Sequence, residues 1–392
     1  MRPIMKILAA GTLIALLSAW TPQDEPGFMP LFNGRNLDGW VSVNCAQSTW
    51  SVRDGMIYST GKPICELRTG RMFENFVLEL EYQHLDPQGN AGVFIWGDAL
   101  TAPGQPFVRA IEVQILDGRN TENYTSHGDV FAIHGARMTP DRPHPGGWMR
   151  SLPIERRARP AGEWNHYRIT ANNGTIKLAV NGKDVSGGYD ITPRKGYIHL
   201  ESEGGRVLYR NLRVKELASA GTLTPDRIAQ ADEGFVSIYN GVDFTGWQHR
   251  AGHEGHWASK DWVIAYDGGG EPGGRTLLTE RAYGDVSVIA DWRWTSTKEA
   301  RTLPVWFDAV PLTDETRGTI ARALLANPPG ASSNGWRRAA LTKRGGRLSV
   351  VIDRQTVVEN LIVGPAGTHS RLALLPLEGA VEFASIFVKP FD

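Results

Sequence analysis

Apolar and polar residues alternate with a period of two in several short segments of this chain. In segment 76–82 the aromatic and aliphatic residues share one parity, whereas Glu79 and Glu81 have the other. Segments 111–115 and 197–203 repeat the pattern. Because successive side chains of a strand point to opposite faces, the pattern predicts sheets with one apolar and one polar face. A two-layered antiparallel sandwich has this arrangement, so we predict an all-β fold.

The chain contains an internal repeat. Residues 27–40 and 234–247 match closely, with an Asn-Gly pair and a Gly-Trp pair at the same places in both. Further matches follow in the same order: 73–80 with 283–290, Trp164 with Trp336, and 207–217 with 381–391. We therefore predict a duplication, with a first domain at 26–217, a linker at 218–233 and a second, diverged domain at 234–392.

The first residues have the pattern of an export signal. Arg2 and Lys6 precede the apolar run 7–17, which is followed by small residues. Such a run is too short to span a bilayer, and the pattern is typical of a secretory signal peptide, here residues 1–19. We expect no later membrane span, and we expect a periplasmic or secreted protein.

The charge and the composition of the chain limit the classes of molecule that it is expected to bind. Lys plus Arg equals Asp plus Glu, 42 each, so the formal net charge is zero. A neutral chain lacks the positive field that attracts nucleic acid or an anionic membrane surface. The 13 tryptophans suit a small-molecule carbohydrate, because sugar faces stack on indole rings, although most of them are expected in the core. The sequence does not define the oligomeric state.

Only two cysteines are present, Cys45 and Cys65. In an oxidising compartment they could form a disulfide across neighbouring strands. The alternative is two independent buried thiols. Neither has histidines at the spacing typical of a metal site.

Carboxylates occupy the polar faces of the predicted first-domain strands. The candidates are Glu112 and Gln114 on one strand, Asp117 at its end, and Glu201 and Glu203 on another. Carboxylates on one face repel one another unless they share protons, a cation or a ligand, so the face is a candidate site. A merely acidic exposed face is the alternative. No ligand spacing is diagnostic, so we expect no cofactor and leave a bound divalent cation open.

Loop residues supply further candidates. His127 follows the Glu112 strand, and an imidazole titrates near neutral pH, which suits a general acid or base. Asn90 precedes strand 93–96 and has an amide that can recognise a hydroxyl, and Trp96 is a candidate for stacking on a sugar. A structural histidine and a core tryptophan are the alternatives.

Several motifs in one order resemble the 3-keto-disaccharide hydrolase domain family over roughly residues 26–217. The motifs are 34–40, 76–93, 112–117, 127–128, 162–165, 202–205 and 210–211. The resemblance implies a concanavalin-like jelly-roll sandwich in both tandem domains. It also implies, for some members, cleavage of glycosides already oxidised at sugar C3. The family often has Gln where Glu201 stands and Asp where Ser126 stands, so the polarity of this pocket differs from the family pattern.

The resemblance suggests roles for the candidates. Removal of the C2 proton beside a C3 ketone, departure of the C1 group and addition of water need one base and one acid. His127 would be the base, with Glu112 or Asp117 orienting it or acting as the acid. The remaining candidates would bind the substrate or complete the pocket: Asn90, Gln114, Arg109, Trp96, Glu201 and Glu203.

Two other functions stay open, and the second domain is expected to be catalytically silent. A non-catalytic carbohydrate-binding or assembly protein would share the fold. A conventional glycoside hydrolase would use Glu112 and Asp117 as its two carboxyl groups. In the second domain the motif around Glu112 is absent. In the segment that matches Glu201 and Glu203, Glu378 is the one corresponding carboxylate.

Overall fold

The computed structural model describes residues 25–117, 127–271, 274–296, 302–327, 334–377 and 379–391. The predicted signal peptide therefore lies outside the described residues, as do Ser126 and Glu378. In the described part of the chain, no helix is long and apolar enough to cross a membrane.

The described part of the first domain consists of sixteen strands in two antiparallel sheets. They are β1 (Met29–Pro30), β2 (Trp40–Val43), β3 (Trp50–Arg53), β4 (Met56–Ser59), β5 (Cys65–Thr69), β6 (Phe76–His84), β7 (Gly92–Gly97), β8 (Ala110–Gln114), β9 (Val130–Ile133), β10 (Arg137–Pro140), β11 (Arg150–Ser151), β12 (Asn165–Asn172), β13 (Thr175–Val180), β14 (Lys183–Thr192), β15 (Tyr197–Ser202) and β16 (Val207–Glu216). One sheet has the order β10-β14-β13-β12-β6-β16-β4-β3, with β1 beside β16, and the other has the order β11-β9-β8-β7-β15-β5-β2.

The predicted alternation builds the core between these two sheets. Leu78 and Leu80 of β6 meet Ile111 and Val113 of β8 in one buried cluster. The other parity of each strand points away from this core. A disulfide joins Cys45 to Cys65, with Cα atoms 5.4 Å apart. The all-β prediction is confirmed.

The second domain has eleven strands and one helix in its described part. The strands are β17 (Val236–Ser237), β18 (Trp257–Lys260), β19 (Val263–Tyr266), β20 (Leu277–Tyr283), β21 (Val286–Trp294), β22 (Val305–Phe307), β23 (Arg337–Arg344), β24 (Arg347–Ile352), β25 (Gln355–Ile362), β26 (Ser370–Leu374) and β27 (Val381–Pro390), and α1 is Asp314–Ala326. One sheet has the order β18-β19-β27-β21-β23-β24-β25 with β17 beside β27, and the other has the order β20-β26-β22.

The larger sheets of the two domains share one topology. The order β14-β13-β12-β6-β16-β4-β3 in the first domain has the same form as β25-β24-β23-β21-β27-β19-β18 in the second. The entry turns agree as well, because the Trp40 indole donates to Leu31 O and the Trp247 indole donates to Ile238 O. In the linker, residues Pro225–Arg227 form a short 3-10 helix.

Helix α1 was not expected from the pattern of the sequence. It lies between β22 and β23, where the first domain has β8 to β11 between β7 and β12. Thr313 caps its start by accepting a hydrogen bond from Thr316 N, and Asp314 and Glu315 lie in its first turn. The second domain thus diverges at the place in the chain where the first carries its candidate site.

Candidate functional site

The candidate site lies on the face of the seven-stranded sheet that points away from the core. On β8, Ile111 and Val113 belong to the core, so Glu112 and Gln114 take the opposite face. On β15, Ile198 and Leu200 belong to the core in the same way. Glu201 therefore lies on the same outer face as Glu112, as alternation predicts.

Gly92 on β7 makes room for two carboxyl groups. A Cβ atom at Gly92 would lie 2.7 Å from Glu201 Oε2 and 3.1 Å from Glu112 Oε1. Such distances are too short for a side chain, so the missing Cβ allows Glu112 and Glu201 to approach each other from neighbouring strands. The alternation of apolar and polar residues does not indicate Gly92, because a glycine has no side chain to contribute to either face.

Glu203 adds a third carboxyl group just after β15. Asn90 Nδ2 donates a hydrogen bond to Glu203 Oε2, and the two residues also pair through their backbones. Glu112 and Glu201 are 6% and 1% exposed, whereas Asn90 and Glu203 are only half-buried. We call Glu112, Glu201 and Glu203 the carboxyl cluster; its accessible end is formed by Glu203 and Asn90.

The three members of the carboxyl cluster differ in charge. Burial raises the pKa of Glu112 well above its ordinary value, and the charge of Glu203 adds to the effect. Burial also raises the pKa of Glu201, with further contributions from Glu112 and Glu203. Burial raises the pKa of Glu203 too, but hydrogen bonds from Glu201 and Asn90 oppose that rise. The pKa of Glu203 is therefore raised less than those of Glu112 and Glu201, so Glu203 ionises most readily of the three.

His127 is held by residues between the sheets rather than above the polar face. The Tyr82 hydroxyl lies 2.9 Å from His127 Nδ1, and Asp117 Oδ1 lies 3.8 Å from Nε2. Tyr82 and His84 come from the inward parity of β6, and both rings contact the imidazole. Burial lowers the pKa of His127, although Asp117 opposes this effect. The imidazole is thus held by Tyr82, His84 and Asp117 and not by the carboxylates of the polar face.

Asp117 belongs with His127 and not with the outward parity of β8. Its Oδ2 accepts a hydrogen bond from Gln88 N at 3.0 Å. Its contact with His127 is the main cause that lowers the pKa of Asp117. Segment 88–90 therefore reaches both groups, because Gln88 binds Asp117 and Asn90 binds Glu203.

Residues 27–215 match the family model described as the 3-keto-alpha-glucoside-1,2-lyase-like domain. The match extends over nearly the whole first domain. The resemblance found in the sequence is thereby confirmed. A 3-keto-disaccharide hydrolase of Bacteroides thetaiotaomicron is 24% identical over 246 residues, which are 50% of this chain and 80% of that protein. The family match and this relative support a carbohydrate-active hydrolase.

Some solved structures align with about half of the chain. A "putative glycosyl hydrolase" of Parabacteroides distasonis is 20% identical and covers 49% of this chain and 94% of its own, with a TM-score of 0.39. The carbohydrate binding module CBM66 from Bacillus subtilis is 12% identical and covers 45% and 96%, with a TM-score of 0.33.

Several candidates lie elsewhere in the lyase-like domain. Trp96 is fully buried, and its indole donates to Glu74 O at 2.7 Å and meets Phe76 edge-on, so no ring face is available to a sugar. Glu79 and Glu81, whose polar parity first suggested an acidic face, lie on the larger sheet. There they pair with arginines, and β6 does not contribute to the carboxyl cluster.

Arg109 and Gln114 also have other partners. Arg109 forms a two-point ion pair with Asp98, at 3.0 and 2.8 Å, and lines a cavity of about 590 Å³ between the domains. The Gln114 side chain accepts a hydrogen bond from Ile115 N and is 6% exposed. The partners found for these two side chains are therefore Asp98 and Ile115 and not members of the carboxyl cluster.

A buried ion pair behind the carboxyl cluster was missed by the sequence analysis. Glu66 on β5 pairs with Glu201 in register, and its Oε2 lies 2.5 Å from His199 Nδ1. Both side chains are fully buried, and the Glu66 charge helps to raise the pKa values of Glu112 and Glu201. The alternating segment 65–69 was the available signal. Among the described residues, no group of three or more His, Cys, Asp or Glu is arranged to hold a metal ion.

Proposed function

We propose that the lyase-like domain cleaves 3-keto-glycosides by proton abstraction, elimination and hydration. The observation that carries this proposal is the carboxyl cluster, in which a half-buried Glu203 stands beside Glu112 and Glu201, two buried groups whose pKa values are raised well above the ordinary value. One ionised and one neutral carboxyl group are the base and acid that the reaction requires. The family match supplies the substrate class.

Each step has a group in the cluster. Glu203 removes the proton from C2, which the C3 ketone acidifies, and the electron pair forms the C1–C2 double bond. The C1–O bond breaks, and Glu112 gives its proton to the leaving oxygen. Water then adds across the double bond, with hydroxide at C1 and a proton at C2, which yields the 3-keto sugar and the free alcohol. Asn90, hydrogen-bonded to Glu203, would bind a substrate hydroxyl.

His127 is the second candidate for the base. A lowered pKa would leave its imidazole neutral and able to accept a proton. Its side chain is only 5% exposed, however, whereas Glu203 is half-buried. The greater accessibility of Glu203 favours this carboxylate as the base. The His127 and Asp117 pair would then stabilise the end of β8.

We also propose export and a non-catalytic second domain. The segment 1–19 has the pattern of a signal peptide, which would place the protein in the periplasm or outside the cell. The shared strand order of the larger sheets supports an origin by duplication. A duplicated domain without β8 and its carboxylates would serve packing, sugar binding or assembly.

The test compares a plain glucoside with its 3-keto form on the full mature protein. We expect turnover of the keto sugar alone. Binding of either sugar without turnover would instead indicate a carbohydrate-binding protein, and turnover of the plain glucoside would indicate a conventional glycosidase. His127→Ala separates the two bases, because the proposal expects it to retain measurable turnover, whereas full loss with an intact fold would make His127 the base.

A further inference from the structure

A hairpin of the second domain contacts a segment of the first domain that neighbours the carboxyl cluster. The turn between β18 and β19 consists of Asp261 and Trp262, and Asp261 has a φ of 57°, which aspartate adopts more readily than most residues. Asp261 Oδ1 accepts a hydrogen bond from Ile64 N at 2.6 Å. The turn is itself held by the Tyr239 hydroxyl, which donates to Asp261 O at 2.9 Å.

The segment that Asp261 holds is bonded to both sequence neighbours of Glu203. Ser202 Oγ donates to Pro63 O at 3.0 Å, and Gly204 N donates to Gly61 O at 2.7 Å. Gly61 also packs so closely on Gly205 that a Cβ atom there would lie 2.6 Å from Gly205 O. The position of Glu203 therefore depends on segment 61–64.

The second domain also packs against this segment from another side. A Cβ atom at Gly241 would lie 2.6 Å from Pro63 Cβ, so the two chains are in close contact there. Ser237, which is close to Gly241 in the chain, donates a hydrogen bond from its Oγ to Asn44 Oδ1 of the first domain at 2.8 Å. The contact between segment 61–64 and the second domain is thus made by more than one element.

We infer that the second domain is part of the working site of the first, and that Asp261 is a positioning residue that holds segment 61–64 and thereby Glu203. The contacts form one chain, from the Asp261 carboxylate through Ile64 and Pro63 to Ser202 and Glu203. Electrostatics agree with this geometry, because the Asp261 charge is among the causes that raise the pKa of Glu203. The inference rests on the proposed function only for its kinetic readout.

Two substitutions separate the charge of Asp261 from its hydrogen bond. Asp261→Asn keeps an oxygen that accepts from Ile64 N but removes the charge, and Asp261→Ala removes both. Asp267→Asn is the matched control, because Asp267 is an exposed aspartate in the same domain that pairs with His256. All are made in the full mature protein.

We expect Asp261→Asn to lower the pKa of Glu203, since loss of a nearby negative charge eases ionisation. With Glu203 as the base, the acid limb of kcat/KM then moves to lower pH while kcat at its plateau stays within about twofold. Asp261→Ala should also lower kcat by roughly tenfold or more, because small displacements of a reacting group are costly. The control should match the wild type.

Two measurements do not depend on turnover. Carboxyl-carbon NMR titration of Glu203, assigned with Glu203→Gln, reports its pKa directly, and amide hydrogen exchange at Ile64 reports the hold on the segment. A lower Glu203 pKa in both variants, with faster Ile64 exchange in Asp261→Ala, supports the inference. Unchanged titration and exchange would overturn it, even if the wild type cleaves 3-keto-glycosides. If the wild type cleaves none, the proposed function fails while these two readouts still decide the inference.

Discussion

The two domains agree in their larger sheets and differ in their smaller ones. Seven strands share one order in both larger sheets. Among the residues that the structure describes, the smaller sheet has seven strands in the first domain and three in the second. The carboxyl cluster belongs to the smaller sheet, on β8 and at β15. In the second domain, β26 buries Leu372 and Leu374 in the core and has Ala373 between them. The comparison teaches that the larger sheet keeps its topology in both domains, whereas the candidate site lies on the smaller sheet, which differs.

The same comparison shows what the second domain contributes to the first. The second domain has α1 where the first has β8 to β11. Its scaffold sheet nevertheless includes the β18–β19 hairpin, which presents Asp261 to the first domain. The sheet whose topology the two domains share is thus also the one through which the second domain contacts segment 61–64.

The largest contrast between the domains should appear on removal of a cluster carboxylate. Glu112→Gln and Glu203→Gln should each lower kcat for a 3-keto-glucoside by roughly 10³-fold, which is within the range of a lost acid or base. Glu382→Gln in the second domain, which breaks an ion pair with Arg293, should leave kcat near the wild-type value. Steady-state kinetics provide the measurement. Equal losses at all three positions would remove the distinction between the domains.

A methyl group at Gly92 should have the next largest effect. Gly92→Ala places a Cβ between Glu112 and Glu201 and should lower kcat/KM by about 100-fold through displacement of the carboxyl groups. Gly284→Ala in the second domain is the matched control, because its Cβ would meet only the His369 ring at 3.5 Å. Circular dichroism should show both variants folded. An active Gly92→Ala would show that the close approach of the carboxyl groups is dispensable.

A smaller effect is expected on the pH dependence of the stability of the protein, through Glu201 of the first domain. Burial raises the pKa of Glu201 above its ordinary value of 4.5, so its contribution to stability is full below pH 4.5 and is lost as pH rises through the folded-state pKa. Glu201→Gln mimics the neutral acid and should raise Tm by about 2–4 °C at pH 7 to 8. It should also flatten the alkaline decline. A Tm lowered at pH 8 would mean that Glu201 is ionised in the fold.

Measurements on the acid side need a separate interpretation. Burial lowers the pKa of His84 to about 4, so its contribution to stability is lost as pH falls from 6.5 through that value. The Glu201→Gln comparison is therefore made above pH 6.5, where His84 is neutral in both states. Wild type and variant should converge in their acid decline.

The smallest effect should be equal in the two domains. Asn33 Oδ1 accepts hydrogen bonds from backbone amides at 2.8 and 3.0 Å, and Asn240 does so at the same two distances. Asn33→Ala and Asn240→Ala should each cost about 1 kcal/mol, the value of a typical hydrogen bond. Denaturant unfolding checks this. Clearly unequal costs would indicate that the two entry turns have diverged despite their matching geometry.

Alternation predicted much of the first domain but not its whole site. It correctly separated Glu112 and Glu201 from the core residues beside them. It does not separate Glu79 from them. The parity of a residue defines the face of its strand but not the sheet to which that strand belongs. Trp96 was misjudged for a related reason. Its left-handed φ of 58° at the end of β7 turns it into the core, and a two-residue period does not reveal such an irregularity.

The sequence by itself determined the all-β fold, the matching halves and the family of the first, since these follow from short-range alternation and from motifs read in order. Tertiary structure alone decided which carboxylates meet. The gap at Gly92, the inward packing of His127 and the reach of Asp261 into the other domain all join residues far apart in the chain. Strand order and loop packing set those distances, and neither is encoded in the local pattern of any one segment.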